Sequence, residues 1–244
     1  MINWFSKRLP DDFFRGVCDV HCHVLPGVDD GFQTSAKSIE ALKLLEKKGV
    51  ALMTLTPHFM KEYPKNHRER IITHFELFKA KVEEAGVGIE LHLAAEYMLD
   101  RCFMDHYQEG FLTLDKAGVN VLCETSYMMY ERNTTGMLYD IMCAGYQPII
   151  AHPERYEYAS NKDYKHWKDK DYKFQLNLLS LAGTYGEGAL VKSHHMLKEG
   201  LYDYVGSDMH SIEAYQKFIP RLRLKKELID KLWQLMENNK KLVG

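Results

Sequence analysis

Val17-Cys18-Asp19-Val20-His21-Cys22-His23 is the stretch whose reading decides the fold. Val17 to His21 form a short apolar run that ends in polar side chains and runs into turn residues at Pro26-Gly27 and Asp30-Gly31, as a buried strand does when it feeds a loop. Beyond that loop, Thr34 offers an N-cap, Ile39, Leu42 and Leu45 form one apolar face, and Gly49 stands at the C-terminal stop, which together predict a helix. Ala51–Thr56 then reads as a second strand, and a helix through Ile71, Phe75, Phe78 and Val82 ends at Gly86 before a third strand, Ile89–Ala95. The alternation continues: a helix over Met98–Tyr107, a strand over Val119–Glu124, and a helix through Leu138, Ile141 and Met142 that stops at Gly145. Strands follow at Pro148–Ala151, Lys173–Asn177 and Tyr202–Ser207. Leu224, Leu228, Leu232 and Leu235 mark a final helix over 219–240.

Strands alternating with helices at this spacing imply parallel β-α units, and seven of them suggest a closed or nearly closed barrel, with a doubly wound open sheet as the alternative. A chain of 244 residues with 45% apolar content fits one such domain, residues 1–244, with its core over 17–212. Lys plus Arg (32) nearly balance Asp plus Glu (34), so no strong field points to nucleic acid or a membrane surface. No apolar run reaches the length of a signal peptide or a membrane span, and a cytoplasmic protein with no membrane insertion is expected. Five scattered cysteines argue against a disulfide framework, and strand alternation turns Cys22 away from His21 and His23.

The unusual polar residues fall at equivalent places on this map. His21 and His23 follow the first strand, His58 the second, Glu96 the third, Glu124 the fourth, His152 the fifth, and Asp208 and His210 the seventh. The C-terminal ends of parallel barrel strands converge on one face, where residues remote in sequence meet. A His-x-His pair at a strand end puts two imidazoles on one side of the pleat, although such a pair alone is also a common structural or surface feature. Glu96 and Glu124 each close an apolar strand and are costly there unless paired or metal-bound. Imidazoles and carboxylates without thiolates favour divalent ions such as Mn, Fe or Zn. The number of groups exceeds the four that one zinc takes, so two or three ions sharing a carboxylate are expected. Clustered ions of this kind activate water and clamp phosphoryl oxygens.

The motifs Asp19-Val20-His21-Cys22-His23, Val28-Asp29-Asp30-Gly31, Thr56-Pro57-His58, Ala95-Glu96, Cys123-Glu124, Ile150-Ala151-His152-Pro153-Glu154-Arg155-Tyr156 and Gly206-Ser207-Asp208-Met209-His210 resemble those of the polymerase-and-histidinol-phosphatase (PHP) superfamily. Within it they look most like the bacterial protein-tyrosine phosphatases of capsule and exopolysaccharide biosynthesis. The resemblance spans about residues 17–212, in order and spacing. It implies a distorted (β/α)7, TIM-like barrel holding three divalent ions, manganese foremost. One ion would take His21, His23, Glu96 and Asp208, a second Glu96, Glu124 and His152, and a third Asp30, His58 and His210. Asp30 comes from the resemblance alone, since an Asp-Asp-Gly turn is ordinarily only a turn.

The same resemblance implies in-line attack on phosphorus by a hydroxide bridging the metals, on a phosphotyrosine protein such as a tyrosine kinase of polysaccharide export. A phenolate of parent pKa about 10 needs little help in leaving, and His58 or His210 can supply the proton. Arg155 matches a phosphate-holding arginine of the family, a role its planar fork suits. Where better-known members carry further arginines, this chain has Phe59-Met60-Lys61 and Ser211 to Tyr215, which leaves Lys61 or Arg132 to replace the charge. Tyr97 and Tyr127 flank ligands and are candidates to line the entrance. The remaining histidines, His67, His74, His92, His106, His166, His194 and His195, read as surface or core. The rival readings are a small-molecule phosphatase such as one for histidinol phosphate, a metal-dependent amidohydrolase, for which no strand-end lysine is present, and a non-catalytic module stabilised by its metals.

Overall fold

Parallel strands covered on both faces read as unbroken apolar runs, and Val121, Leu122, Cys123, Ile149, Ile150 and Ala151 are all buried in such strands. The computed structural model describes residues 6–131 and 133–244. In chain order the elements are β1 (Ser6–Arg8), β2 (Cys18–Cys22), α1 (Ser35–Lys47), β3 (Leu52–Leu55), β4 (His58–Phe59), α2 (Arg68–Glu84), β5 (Glu90–Leu93), β6 (Glu96–Met98), α3 (Phe103–Glu109) and β7 (Asn120–Glu124). They continue as α4 (Thr134–Cys143), β8 (Gln147–Ala151), α5 (Asn161–Asp169), β9 (Lys173–Asn177), α6 (Gly186–Glu199), β10 (Tyr204–Gly206), α7 (Ile212–Phe218), β11 (Arg223–Lys225) and α8 (Lys226–Val243). The first helix begins and ends where its caps require. Thr34 accepts from the Lys37 amide at the start of α1, and Gly49, with φ of +91°, turns the chain out of it.

Two parallel sheets carry the site, one in the order β10-β9-β8-β7-β6-β4 and one in the order β2-β3-β5. Backbone hydrogen bonds cross one seam, from Asp208 N to His21 O (2.8 Å) and from His23 N to Met209 O (3.1 Å); at the other, the chain itself passes from β3 to β4 and from β5 to β6, and the two segments stay paired through Ala94 N to Leu55 O (2.9 Å) and Glu96 N to Pro57 O (3.1 Å). Between the sheets and the helices lies a core that includes Phe13, Met53, Phe78, Phe174 and Leu232.

Three expectations need correction. His58 and Glu96 do not follow their strands; they open short strands of their own, β4 and β6, paired in register with each other. Pro57 breaks the ladder between β3 and β4 because it has no N–H to donate. The helix expected over 98–107 starts only at Phe103. Met98 pairs with Glu124 in the sheet, and the Asp100 carboxylate takes the Cys102 and Lys61 amides (2.7 and 2.9 Å), which holds a turn ahead of the helix. The C-terminal helix begins at Lys226, not 219, because residues 219–221 form a 3-10 turn at Pro220 and Arg223–Lys225 pair antiparallel with Ser6–Arg8. Leu222 and Leu224 are both buried and alternate with Arg223 and Lys225, a strand period hidden inside a leucine series that also fits a helix. No helix among the described residues is long and apolar enough to cross a membrane. The five cysteines are free, and the Cys22 thiol faces Thr54 O at 3.4 Å, on the opposite side of the strand from the histidines.

Candidate metal centre

The strand ends bring together the same nine side chains that the sequence singles out: His21, His23, Asp30, His58, Glu96, Glu124, His152, Asp208 and His210. All are buried except His210, which is partly exposed, and Asp30, which faces solvent from the loop after β2. The backbone is forced into position to achieve this. His152 and Asp208 have φ of 32° and 49°, a left-handed conformation that costs a non-glycine residue on the order of 1–3 kcal/mol and persists where surrounding structure holds it. Two glycines make room for the histidines. A Cβ on Gly31 would collide with the His23 carbonyl oxygen, and one on Gly206 would lie 2.6 Å from His21 Cβ.

His21 Nε2 lies 3.3 Å from Glu96 Oε2 and 3.5 Å from Asp208 Oδ1, and His23 Nε2 lies 3.3 and 3.4 Å from the same two atoms. His152 Nε2 is 2.9 Å from Glu96 Oε1 and 3.9 Å from Glu124 Oε2. His58 faces two ways, with Nδ1 3.1 Å from both Glu96 Oε2 and Glu124 Oε1 and Nε2 3.4 Å from Asp30 Oδ1. His210 Nε2 is 3.5 Å from Asp30 Oδ1. Glu96 therefore sits at the middle of the cluster and shares its oxygens among the groups on either side.

These residues fit divalent metal. Ligands about 2.1 Å from a tetrahedral ion stand about 3.4 Å apart, and the separations around Glu96 and Asp208 cluster near that value. The tautomers point the same way. His21 Nδ1 donates to Gln175 Oε1 (2.8 Å) and His23 Nδ1 to Asp29 Oδ2 (2.9 Å), so two Nε2 lone pairs face one another at 3.2 Å. Glu96 Oε2, Glu124 Oε1 and His58 Nδ1 are buried and make no aligned hydrogen bond, so their lone pairs converge on a shared space, where a cation would relieve the cost of leaving them unpaired. Burial opposes charge on His21, yet the carboxylates of Glu96 and Asp208 outweigh it and raise its pKa. Burial likewise opposes ionisation of Asp208, and the surrounding histidines, His21 foremost, hold its carboxyl far below the ordinary range.

Several supporting residues were not legible in the sequence. Asp29 bonds His23 Nδ1, the His58 amide (3.1 Å) and the Gly31 amide (2.9 Å) at once. Gln175 holds His21, and Asn177 Nδ2 donates to Asp208 Oδ2 at 2.6 Å. Two polar side chains at alternate positions of an otherwise apolar strand were the available signal for this pair, since both must face the same side. Arg155 Nη1 donates to Asp208 Oδ2 at 2.7 Å. Tyr127 lies beside the centre and donates to Glu124 Oε2 (3.1 Å). Tyr97 does not line the entrance, for its ring is buried against Phe59 and its hydroxyl accepts from the Leu112 amide. Lys61 is exposed, with Nζ 3.6 Å from Glu62, and Arg132 lies outside the described residues.

Residues 17–239 match the family described as capsular polysaccharide synthesis, CpsB/CapC. The tyrosine-protein phosphatase YwqE of Bacillus subtilis is 30% identical over 209 residues, covering 80% of this chain and 78% of that protein. The tyrosine-protein phosphatase CpsB of Streptococcus pneumoniae is 26% identical over 205 residues, with 80% and 84% covered. Among solved structures, one from a study of YwqE from Bacillus subtilis and CpsB from Streptococcus pneumoniae, described as unique metal-dependent tyrosine phosphatases, superposes with a TM-score of 0.77. It covers 92% of this chain and 93% of its own at 24% identity, and so bears on the fold.

Proposed function

Because this chain belongs to the CpsB/CapC family of capsular polysaccharide synthesis, we propose that it is a metal-dependent phosphoesterase that hydrolyses phosphotyrosine on a protein of that pathway. The observation that carries the proposal is the convergence of the His21, His23, Glu96 and Asp208 ligand atoms at 3.2–3.5 Å, with buried lone pairs directed at one another. We assign His21, His23, Glu96 and Asp208 to one ion, Glu96, Glu124 and His152 to a second, and Asp30, His58 and His210 to a third, on the distances between their ligand atoms, with manganese foremost and iron or zinc as alternatives. Bound there, such ions supply charge to neutralise phosphoryl oxygens and lower the pKa of water. The sheets read as a distorted (β/α)7 barrel of one domain if β3 with β4 and β5 with β6 are each one interrupted strand, and the bonds from Asp208 N to His21 O and from His23 N to Met209 O, between the ends of β10 and β2, support closure.

The chain's own groups then divide the work. Glu96 and Asp208 fix the deep end of the pocket, while His58 and His210 stand at its open edge, near exposed Asp30. His58 or His210 is placed to pass a proton to a departing phenolate, a group that needs little such help. The ring of Tyr63 lies parallel to His58, with centroids 5.9 Å apart, and walls that edge. The test is turnover of p-nitrophenyl phosphate, a phosphotyrosine peptide and histidinol phosphate by protein stripped with chelator and reloaded with Mn2+. Mn2+-dependent hydrolysis that favours the peptide is expected. Preference for histidinol phosphate would make this a small-molecule phosphatase, and no hydrolysis of any of the three would leave a non-catalytic module.

A further inference from the structure

The Arg155 guanidinium lies between two aromatic rings, with Cζ 4.2 Å from the centroid of Tyr127 and 4.1 Å from that of Tyr185. Its Nη1 is on Asp208 Oδ2, the oxygen that also takes Asn177, while Oδ1 of the same carboxylate faces His21 and His23. At one end of the stack, the Tyr127 hydroxyl donates to Glu124 Oε2, while Glu124 Oε1 faces His58 Nδ1. Asp208 is thus held by its outer oxygen and offers its inner oxygen to the cluster, while Glu124 is held at Oε2, which also lies 3.9 Å from His152 Nε2, and turns Oε1 to His58. The two carboxylates come from different strand ends, after β10 and at the end of β7, yet one stack grips both. Arg155 itself stands three residues beyond His152, on the turn formed by Pro153–Arg155.

We propose that the Tyr127–Arg155–Tyr185 stack is a positioning device that orients Asp208 and Glu124 toward the metal ions, with Arg155 acting through Asp208. The proposal rests on the reading of the centre as a metal site. A carboxylate ligand with a loose outer oxygen swings about its side-chain torsions and loses affinity, and hydrogen-bond partners beyond the ligands commonly govern metal affinity for this reason. A guanidinium is suited to this place because its flat faces stack on rings while its edge keeps donors for a carboxylate.

The test uses full-length protein stripped with chelator and titrated with Mn2+ by calorimetry, without substrate. Arg155→Lys keeps the charge but loses the flat fork, and Tyr127→Phe keeps the ring but loses the hydroxyl. Each is expected to weaken Mn2+ binding roughly 10–100-fold, and excess Mn2+ is expected to restore the KM for p-nitrophenyl phosphate. Unchanged Mn2+ affinity in Arg155→Lys, with a raised KM at every Mn2+ concentration, would overturn the proposal and give Arg155 to phosphate. Tyr127→Phe, the milder change, decides the matter if Arg155→Lys does not fold, since parental Mn2+ affinity there also overturns it. Parent protein that binds no Mn2+ overturns the metal reading itself, and parent protein that binds while both variants match it overturns only the role of the stack.

Discussion

His21 and His23 each commit Nδ1 to a side-chain oxygen, which fixes the tautomer and aims both Nε2 atoms inward. Asp29 carries the larger part of this arrangement, because its carboxylate also ties down the His58 and Gly31 amides. Asp29→Ala is therefore expected to lower Mn2+ affinity by roughly 10–100-fold, read by competition with a chelator, whereas parental affinity would show that His23 keeps its orientation unaided. His106 makes a different prediction. Its ring is packed edge-on to Phe59, both ring nitrogens are buried without a hydrogen-bond partner, and burial lowers its pKa. A depressed histidine favours the fold fully above the unfolded value of about 6.5, and that contribution is lost as pH falls through the lower folded value. His106→Phe should thus melt closer to the parent at pH 7 and pull ahead as pH falls toward 5, and a gap in melting temperature that does not change with pH would refute this. The candidate ligands other than Asp30 were legible at this scale because a carboxylate or imidazole that ends an apolar strand is costly to bury unless a cation or a partner takes it up, whereas Asp30 sits exposed in a turn. Asp29, Gln175 and Asn177 were not, because a single polar residue in a turn or strand is commonplace and serves many ends.

Among the elements, the helices with a cap, an apolar stripe and a glycine stop were legible almost to the residue, as α1 from its Thr34 cap shows. The breaks were not. Past Pro57 the chain pairs again as β4 where the sequence shows only the end of a strand, Asp100 delays a helix, and Leu222 with Leu224 fits two periods at once; each is decided by tertiary pairing that propensity does not contain. Glycine at 206 matters to the element that carries Asp208. A Cβ there would press on His21 Cβ and come within 2.9 Å of Gln175 Nε2, so Gly206→Ala should lower both the melting temperature and Mn2+ affinity, and a change in neither would show that β2 yields freely. The long α8 is held by a buried face of Leu228, Ile229, Leu232, Leu235 and Met236. Truncating its fully buried member, Leu232→Ala, is expected to cost about 2–5 kcal/mol in denaturant unfolding; a loss under about 1 kcal/mol would mean that the helix packs loosely.

For the molecule as a whole, the strained backbone at His152 and Asp208 and the buried acids Glu96 and Glu124 all raise the energy of the protein without cations. Binding that favours the folded chain stabilises it by about RT ln(1 + [L]/Kd), so Mn2+ in excess should raise the melting temperature and a chelator should lower it. The parallel layout was legible because βα alternation leaves few topologies open, whereas the antiparallel β1–β11 pair was not, since it joins segments more than 200 residues apart. The most direct measurement is the metal content of full-length protein after loading with Mn2+ and extensive dialysis, determined by elemental analysis beside Glu96→Gln. Two to three ions per chain, falling by at least one in the variant, is the predicted result; fewer than one ion in the parent, or the same content in both proteins, would contradict a shared multi-ion centre.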